Sequence, residues 1–198
     1  VLDLGAESTR PGATPLPLEA ELQRLLPLLR ELRGWQVPLS IDTYKPEAMQ
    51  ACLDEGADII NDIHALKSPD ALDAVAAHPA CGVCLMHMQG LPSSMQAQPR
   101  YEDVVQEVRS MLQAQVDVLR GRGVAADRIV LDPGIGFGKT AEHNVELLRR
   151  QSELLALGQP LLVGWSRKST LGVLTGRPVS ERLAASVAAA LAAVARGA

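Results

Sequence analysis

Polar residues that could do chemistry stand in or just after six short apolar runs, VLDLGAEST, VPLSIDT, ADIINDI, CGVCLMHM, RIVLDPG and PLLVGWSRK. Glu7, Thr9 and Arg10 follow the first run and Asp42 the second; Asn61 and Asp62 lie in the third, His87 in the fourth, Asp132 in the fifth, and Ser166, Arg167 and Lys168 after the sixth. Carboxylate, amide, guanidinium and ammonium groups gathered in one place would pair with the polar edges of a small ligand and offset its charge. Each also has a plainer reading. Asp42 and Asp132 would serve as helix caps, Arg10 as a surface ion pair, Thr9 and Asn61 as turn groups, and Ser169 as a helix cap. Met86 and Phe137 would serve as core residues. Lys168 has instead a sharper alternative, a Schiff-base nucleophile if burial depresses it.

Gathering them requires a scaffold. Between the runs lie amphipathic stretches of helical period: Leu18 to Leu32, Pro46 to Glu55, Pro69 to His78, Tyr101 to Arg120 and Glu142 to Leu157, then a short helix near Lys168 to Leu174 and an alanine-rich one from Glu181 to Arg196. The first keeps its leucine stripe across Pro27, where a kink is expected. Apolar strands alternating with helices, without hairpin signals, predict a parallel sheet with both faces covered. Six such units fit a TIM (β/α)8 barrel short of two strands, in one domain over residues 1–198; a doubly wound open sheet is the alternative. In either, the strand C-termini form the ligand face. The segment Gln89 to Arg100, rich in Pro, Ser and Gln, reads as a mobile loop above one strand end.

Composition narrows the classes. With 19 basic and 23 acidic residues among 198, the net charge of −4 provides no global field for nucleic acid. The longest nearly apolar run, Leu183 to Ala195, is too short to span a membrane. Cys52, Cys81 and Cys84 are too few for a disulfide scaffold and fit a reducing, cytoplasmic setting. PGIGFGKT resembles a phosphate loop but has Pro133 where GxxxxGK[ST] needs Gly, and His64, His78, His87 and His143 lack paired zinc spacing.

ESTRPGA, SIDTYKPE, GADIINDI, CLMHMQG, LDPGIGFGK, HN and GWSRKS occur in an order and spacing that resemble the dihydropteroate synthase family over essentially the whole chain. The resemblance implies condensation of 6-hydroxymethyl-7,8-dihydropterin diphosphate with p-aminobenzoate in folate biosynthesis, in a family that is a sulfonamide target. It assigns Asp42, Asn61, Met86, Asp132 and Lys168 to the pterin, Thr9 and Arg10 to the diphosphate, and Pro11, Phe137 and Ser169 to p-aminobenzoate. Arg10, Asp132 and Lys168 carry the catalysis. Mg2+ is implied as cofactor, its Asn ligand expected on a loop before Val1, and no metal ligand is expected in this chain.

Family members also end in a strand bearing an Arg and a His. The chain opens at Val1 without Met, so it reads as a piece of a longer protein, a homodimer when whole and inactive as this piece alone. A pterin-binding methyltransferase domain and a non-catalytic synthase-like partner remain the competing functions.

Overall fold

A computed structural model of the chain describes residues 1–10 and 12–198. Five of the six apolar runs form strands: β1 (Leu2–Gly5), β2 (Leu39–Asp42), β3 (Ile59–Asp62), β4 (Gly82–Met86) and β5 (Ile129–Asp132). All pair in parallel, and their order across the sheet is sequential. A doubly wound sheet reverses its strand order at a switch point, whereas a barrel winds one way throughout. The sequential order sets the doubly wound alternative aside, and the five strands form an arc of a TIM barrel.

The sixth run departs from expectation. Leu161 makes a single parallel bridge to Leu131, supported by Leu131 N–H donating to the Pro160 carbonyl at 2.9 Å and Leu162 N–H to the Leu131 carbonyl at 2.8 Å. One residue of pairing on one side is too little ladder to hold a strand. The segment then turns away through Arg167, whose φ of 56° is left-handed.

The helices are α1 (Leu18–Leu32), α2 (Pro46–Asp54), α3 (Pro69–Ala77), α4 (Val104–Gly121), α5 (Ala141–Arg149), α6 (Gln151–Leu155), α7 (Ser169–Thr175) and α8 (Leu183–Val194). Helix α1 continues through Pro27, which lies on its solvent side opposite the buried stripe Glu21, Leu25, Leu29 and Leu32. Helix α4 starts three residues later than its periodicity suggests, because the Asp103 carboxylate caps it by accepting from Val105 and Gln106. The stretch 142–157 divides at Arg150 into α5 and α6.

Strand alternation sorts the side chains. Leu39, Ile41, Ile60, Val83, Leu85, Ile129 and Leu131 face the helices and are at most 2% exposed. Asp3, Ser40, Asp42, Asn61, Cys84, Met86 and Asp132 share the other face by register. That face is concave: the Asn61 side-chain amide donates to Asp3 at 3.3 Å although β2 lies between their strands. In a flat sheet the two strands would be roughly 10 Å apart.

Candidate active site

The register brings the strand-borne candidates together. Asp42 stands opposite Asn61, Asn61 opposite Cys84, and Met86 opposite Asp132. Asp42 to Asp132 thus spans three strand intervals, roughly 14 Å along the sheet and less across its hollow. The loop-borne candidates converge beside them: Thr9, Arg10, Phe137, Lys168 and Ser169 line one cleft of about 1120 Å³ with Met95 and Gln96. Met86 and Phe137 belong to one apolar cluster with Ile63, Met88 and Met95, which joins the strand ends to the cleft. The Lys168 ammonium lies 4.5 Å from the centre of the Phe137 ring. Pro11 lies outside the described residues.

Asp132 is buried, and its Oδ1 accepts the Gly134 N–H at 2.7 Å. Burial raises its pKa to about 6, against the opposing pull of that amide and of Lys168 and Lys139. Burial in turn lowers Lys168, with Asp132 resisting and Arg10 assisting, so these three groups lie within one another's field. Asp42 is raised to about 7, first by burial and then by repulsion from Asp3, Asp62, Glu21 and Glu7. Its Oδ1 is buried without a hydrogen-bond partner among the described residues, and α2 begins after Lys45 with no side-chain cap. The capping reading of Asp42 therefore falls, and a buried acceptor is left aimed into the hollow.

Other strand-end residues turn out to be structural. Asp62 faces the helices and accepts from His64 and Leu66 at 2.8 and 2.7 Å, closing a turn in which Ala65 and Leu66 are left-handed. Glu7 is taken by Lys45 and by the Tyr44 hydroxyl, 2.5 Å away. Burial would raise its carboxyl, but these bonds outweigh it and hold the pKa below the ordinary value. His87 is buried beside Lys139, with its pKa lowered to about 3 by burial and that neighbouring cation. Ser169 is the first residue of α7 and exposed; Lys168 holds the cap position, and no side-chain cap bond forms. In the Gln89–Arg100 segment, Gln89 and Arg100 exchange hydrogen bonds at 2.8 and 3.0 Å, Met95 is buried, and the Gln96 side chain donates to the Gly136 carbonyl.

Sequence reasoning missed Asp3, which pairs with Asn61, Tyr44 and Lys45, which hold Glu7, and Lys139, which sits beside His87. Tyr44 and Lys45 stood inside the SIDTYKPE motif, and Lys139 carried the phosphate-loop look of its segment. The three cysteines are free and buried. Among the described residues no three His, Cys, Asp or Glu side chains gather as metal ligands.

The sequence of residues 1–198 matches the profile of the family described as "Pterin binding enzyme". The dihydropteroate synthase of Neisseria meningitidis serogroup B is 50% identical over 203 residues, covering 100% of this chain and 71% of that protein. The crystal structure of Burkholderia cenocepacia dihydropteroate synthase complexed with 7,8-dihydropteroate superposes with a TM-score of 0.91 at 52% identity, over 99% of this chain and 72% of that one. The Xanthomonas albilineans enzyme with 4-aminobenzoic acid gives a TM-score of 0.92 at 47% identity, over 99% and 70% of the two chains. With a register that seats Asp42, Asn61 and Asp132 on one hollow face, and with identity of this order along its whole length, the chain belongs to the dihydropteroate synthase family.

Proposed function

We propose that the hollow face and its cleft bind a dihydropterin diphosphate and p-aminobenzoate side by side and join them into dihydropteroate. The observation that carries the reading is the junction itself: Asp42, Asn61, Met86 and Asp132 share one face, while Thr9, Arg10, Phe137, Lys168 and Ser169 line the cleft that opens beside it. A pterin presents a flat ring with a guanidine-like N–H edge and a carbonyl. The Asp132 carboxylate accepts from that edge, Asn61 reads an adjacent ring nitrogen, Lys168 donates to the carbonyl, and Asp42 completes the set. Met86 forms an apolar wall. Each unpaired buried group would cost about 1–3 kcal/mol, which excludes flat rings lacking those edges.

In the reaction the bond between the pterin methylene and the diphosphate oxygen breaks, its electron pair leaving with the diphosphate. Arg10 and Thr9 take up the growing negative charge, and Asp132 offsets the pterin cation. The p-aminobenzoate nitrogen, held against Phe137 with its carboxylate near Ser169, then attacks the methylene and loses a proton. No covalent bond to the protein is needed, and the hydrogen-bonding and charge-offsetting roles leave no task for Lys168 as a Schiff base. The described residues form no magnesium cage. Magnesium, which binds through few protein groups together with phosphate oxygens and water, would sit at the diphosphate and help offset the leaving group's charge.

The protein acts as a cytoplasmic homodimer in this reading. Buried free thiols support the compartment, and exposed Leu183, Leu191 and Val194 on α8 support self-association. No described helix is long and apolar enough to cross a membrane. The test is Asp132→Ala in the full-length protein: calorimetric affinity for 6-hydroxymethylpterin falls by at least roughly a hundredfold with the fold intact. Unchanged affinity would remove Asp132 from the site and the reading with it.

A further inference from the structure

PGIGFGKT looks like a phosphate loop and is built the other way round. A phosphate loop turns backbone N–H groups inward around an anion and leaves its lysine free to reach the ligand. Here Gly134, Gly136 and Gly138 have φ of 68°, 82° and 61°, and the loop turns carbonyls inward around its own lysine. Lys139 Nζ donates to the carbonyls of Gly134 at 3.1 Å, Phe137 at 3.0 Å and His87 at 3.2 Å, and lies 3.0 Å from His87 Nδ1. It is 3% exposed. A buried ammonium is tolerated only where its N–H groups are satisfied, and its three donors have four acceptors here.

This cage joins two loops. His87 leaves β4, whereas Gly134 and Phe137 follow β5. The two backbones are pressed together: a Cβ on Gly134 would stand 1.9 Å from the His87 carbonyl oxygen, and one on Gly138 2.3 Å from that of Gln89. The Asp132 backbone is held by ladder pairing with Met86 and by His87 N–H donating to its carbonyl at 2.9 Å, while its carboxylate accepts the Gly134 N–H at 2.7 Å. The strand therefore places the pterin carboxylate, while Lys139 grips the peptide of Phe137, whose ring lines the cleft.

We propose that Lys139 is a positioning residue for the second substrate: it fixes the Phe137 ring against the aromatic amine and touches neither substrate. The proposal rests on the reading of Phe137 as the p-aminobenzoate wall. It predicts a selective loss that general destabilisation would not produce.

The experiment compares Lys139→Met and Phe137→Ala in the full-length protein, measuring KM for p-aminobenzoate and Kd for 6-hydroxymethylpterin. Measured at about pH 8.5, where Asp132 is ionised with or without the Lys139 cation, Lys139→Met is expected to raise the p-aminobenzoate KM at least roughly tenfold, as Phe137→Ala does, with pterin Kd within about threefold of the parent. If Phe137→Ala raises that KM and Lys139→Met leaves it within about twofold, the inference fails and the reading stands. Equal loss of both substrates in Lys139→Met also overturns it, since the role would then be structural. If Phe137→Ala itself changes nothing, the reading of Phe137 fails and takes the inference with it. Should Lys139→Met not fold, Lys139→Arg replaces it. A planar fork cannot address four acceptors around one point, so the same selective loss is expected, and an unchanged p-aminobenzoate KM overturns the proposal.

Discussion

Asp42 and Asn61 stand opposite each other on β2 and β3, yet their side chains differ: the Asn61 amide donates to Asp3 at 3.3 Å, while Asp42 Oδ1 is buried without a partner among the described residues. On the proposed function, the unpaired Asp42 acceptor is kept for a ligand at the expense of the empty protein's stability.

That imbalance has a pH signature. The pKa of Asp42 rises from 3.8 to about 7 on folding, so the folded state holds the proton more tightly between those values. Stability from this group is present below the lower value and is lost as pH rises through the upper one. Asp42→Asn is expected to stabilise the protein by roughly 2–4 kcal/mol at about pH 8 and by nothing near pH 4, while weakening pterin binding. Urea unfolding at the two pH values checks it, and equal effects at both would contradict the assignment.

Pterin affinity should depend on pH through Asp132. On the proposed function its ionised form would accept the ligand's N–H groups, and its pKa in the free protein is raised to about 6. Below that value Kd is expected to weaken by about tenfold per pH unit. Calorimetry across this range in the Asp42→Asn background removes the other titrating carboxylate. A flat profile would show that Asp132 does not bind in its charged form.

Lys45 bridges Glu7, at the root of the Arg10 loop, to Glu21 on α1, and all three side chains are at most 16% exposed. Lys45→Met strands two buried carboxylates and is expected to cost about 3–5 kcal/mol in urea unfolding. The triple change with Glu7→Gln and Glu21→Gln should recover much of it. If the single variant costs under about 1 kcal/mol, the bridge is no stronger than a surface pair.

Gly134 has no room for a methyl group. With φ at 68° and the His87 carbonyl oxygen 1.9 Å from where a Cβ would stand, Gly134→Ala is expected to destabilise by at least about 2 kcal/mol. It should also raise the p-aminobenzoate KM, because relief of the clash separates the two loops that Lys139 joins. Thermal unfolding and steady-state kinetics test the two effects separately.

Five of six strands, the helical stretches, one of which divides at Arg150, and the parallel class followed from local pattern, because buried parallel strands and amphipathic helices write their periods into the chain. The polar residues at strand ends were equally visible, and their order carried the family. What local pattern does not encode is which way a side chain faces once strands pair. Asn61 and Asp62 are neighbours of similar character, yet register sends Asn61 to the hollow and Asp62 to a turn on the helix side. His87 and Glu7 likewise became partners of Lys139 and Lys45 through contacts 52 and 38 residues apart in sequence. Residue type and spacing determined the inventory of chemistry; strand register and long-range charge pairing decided which members face a ligand and which hold the others in place.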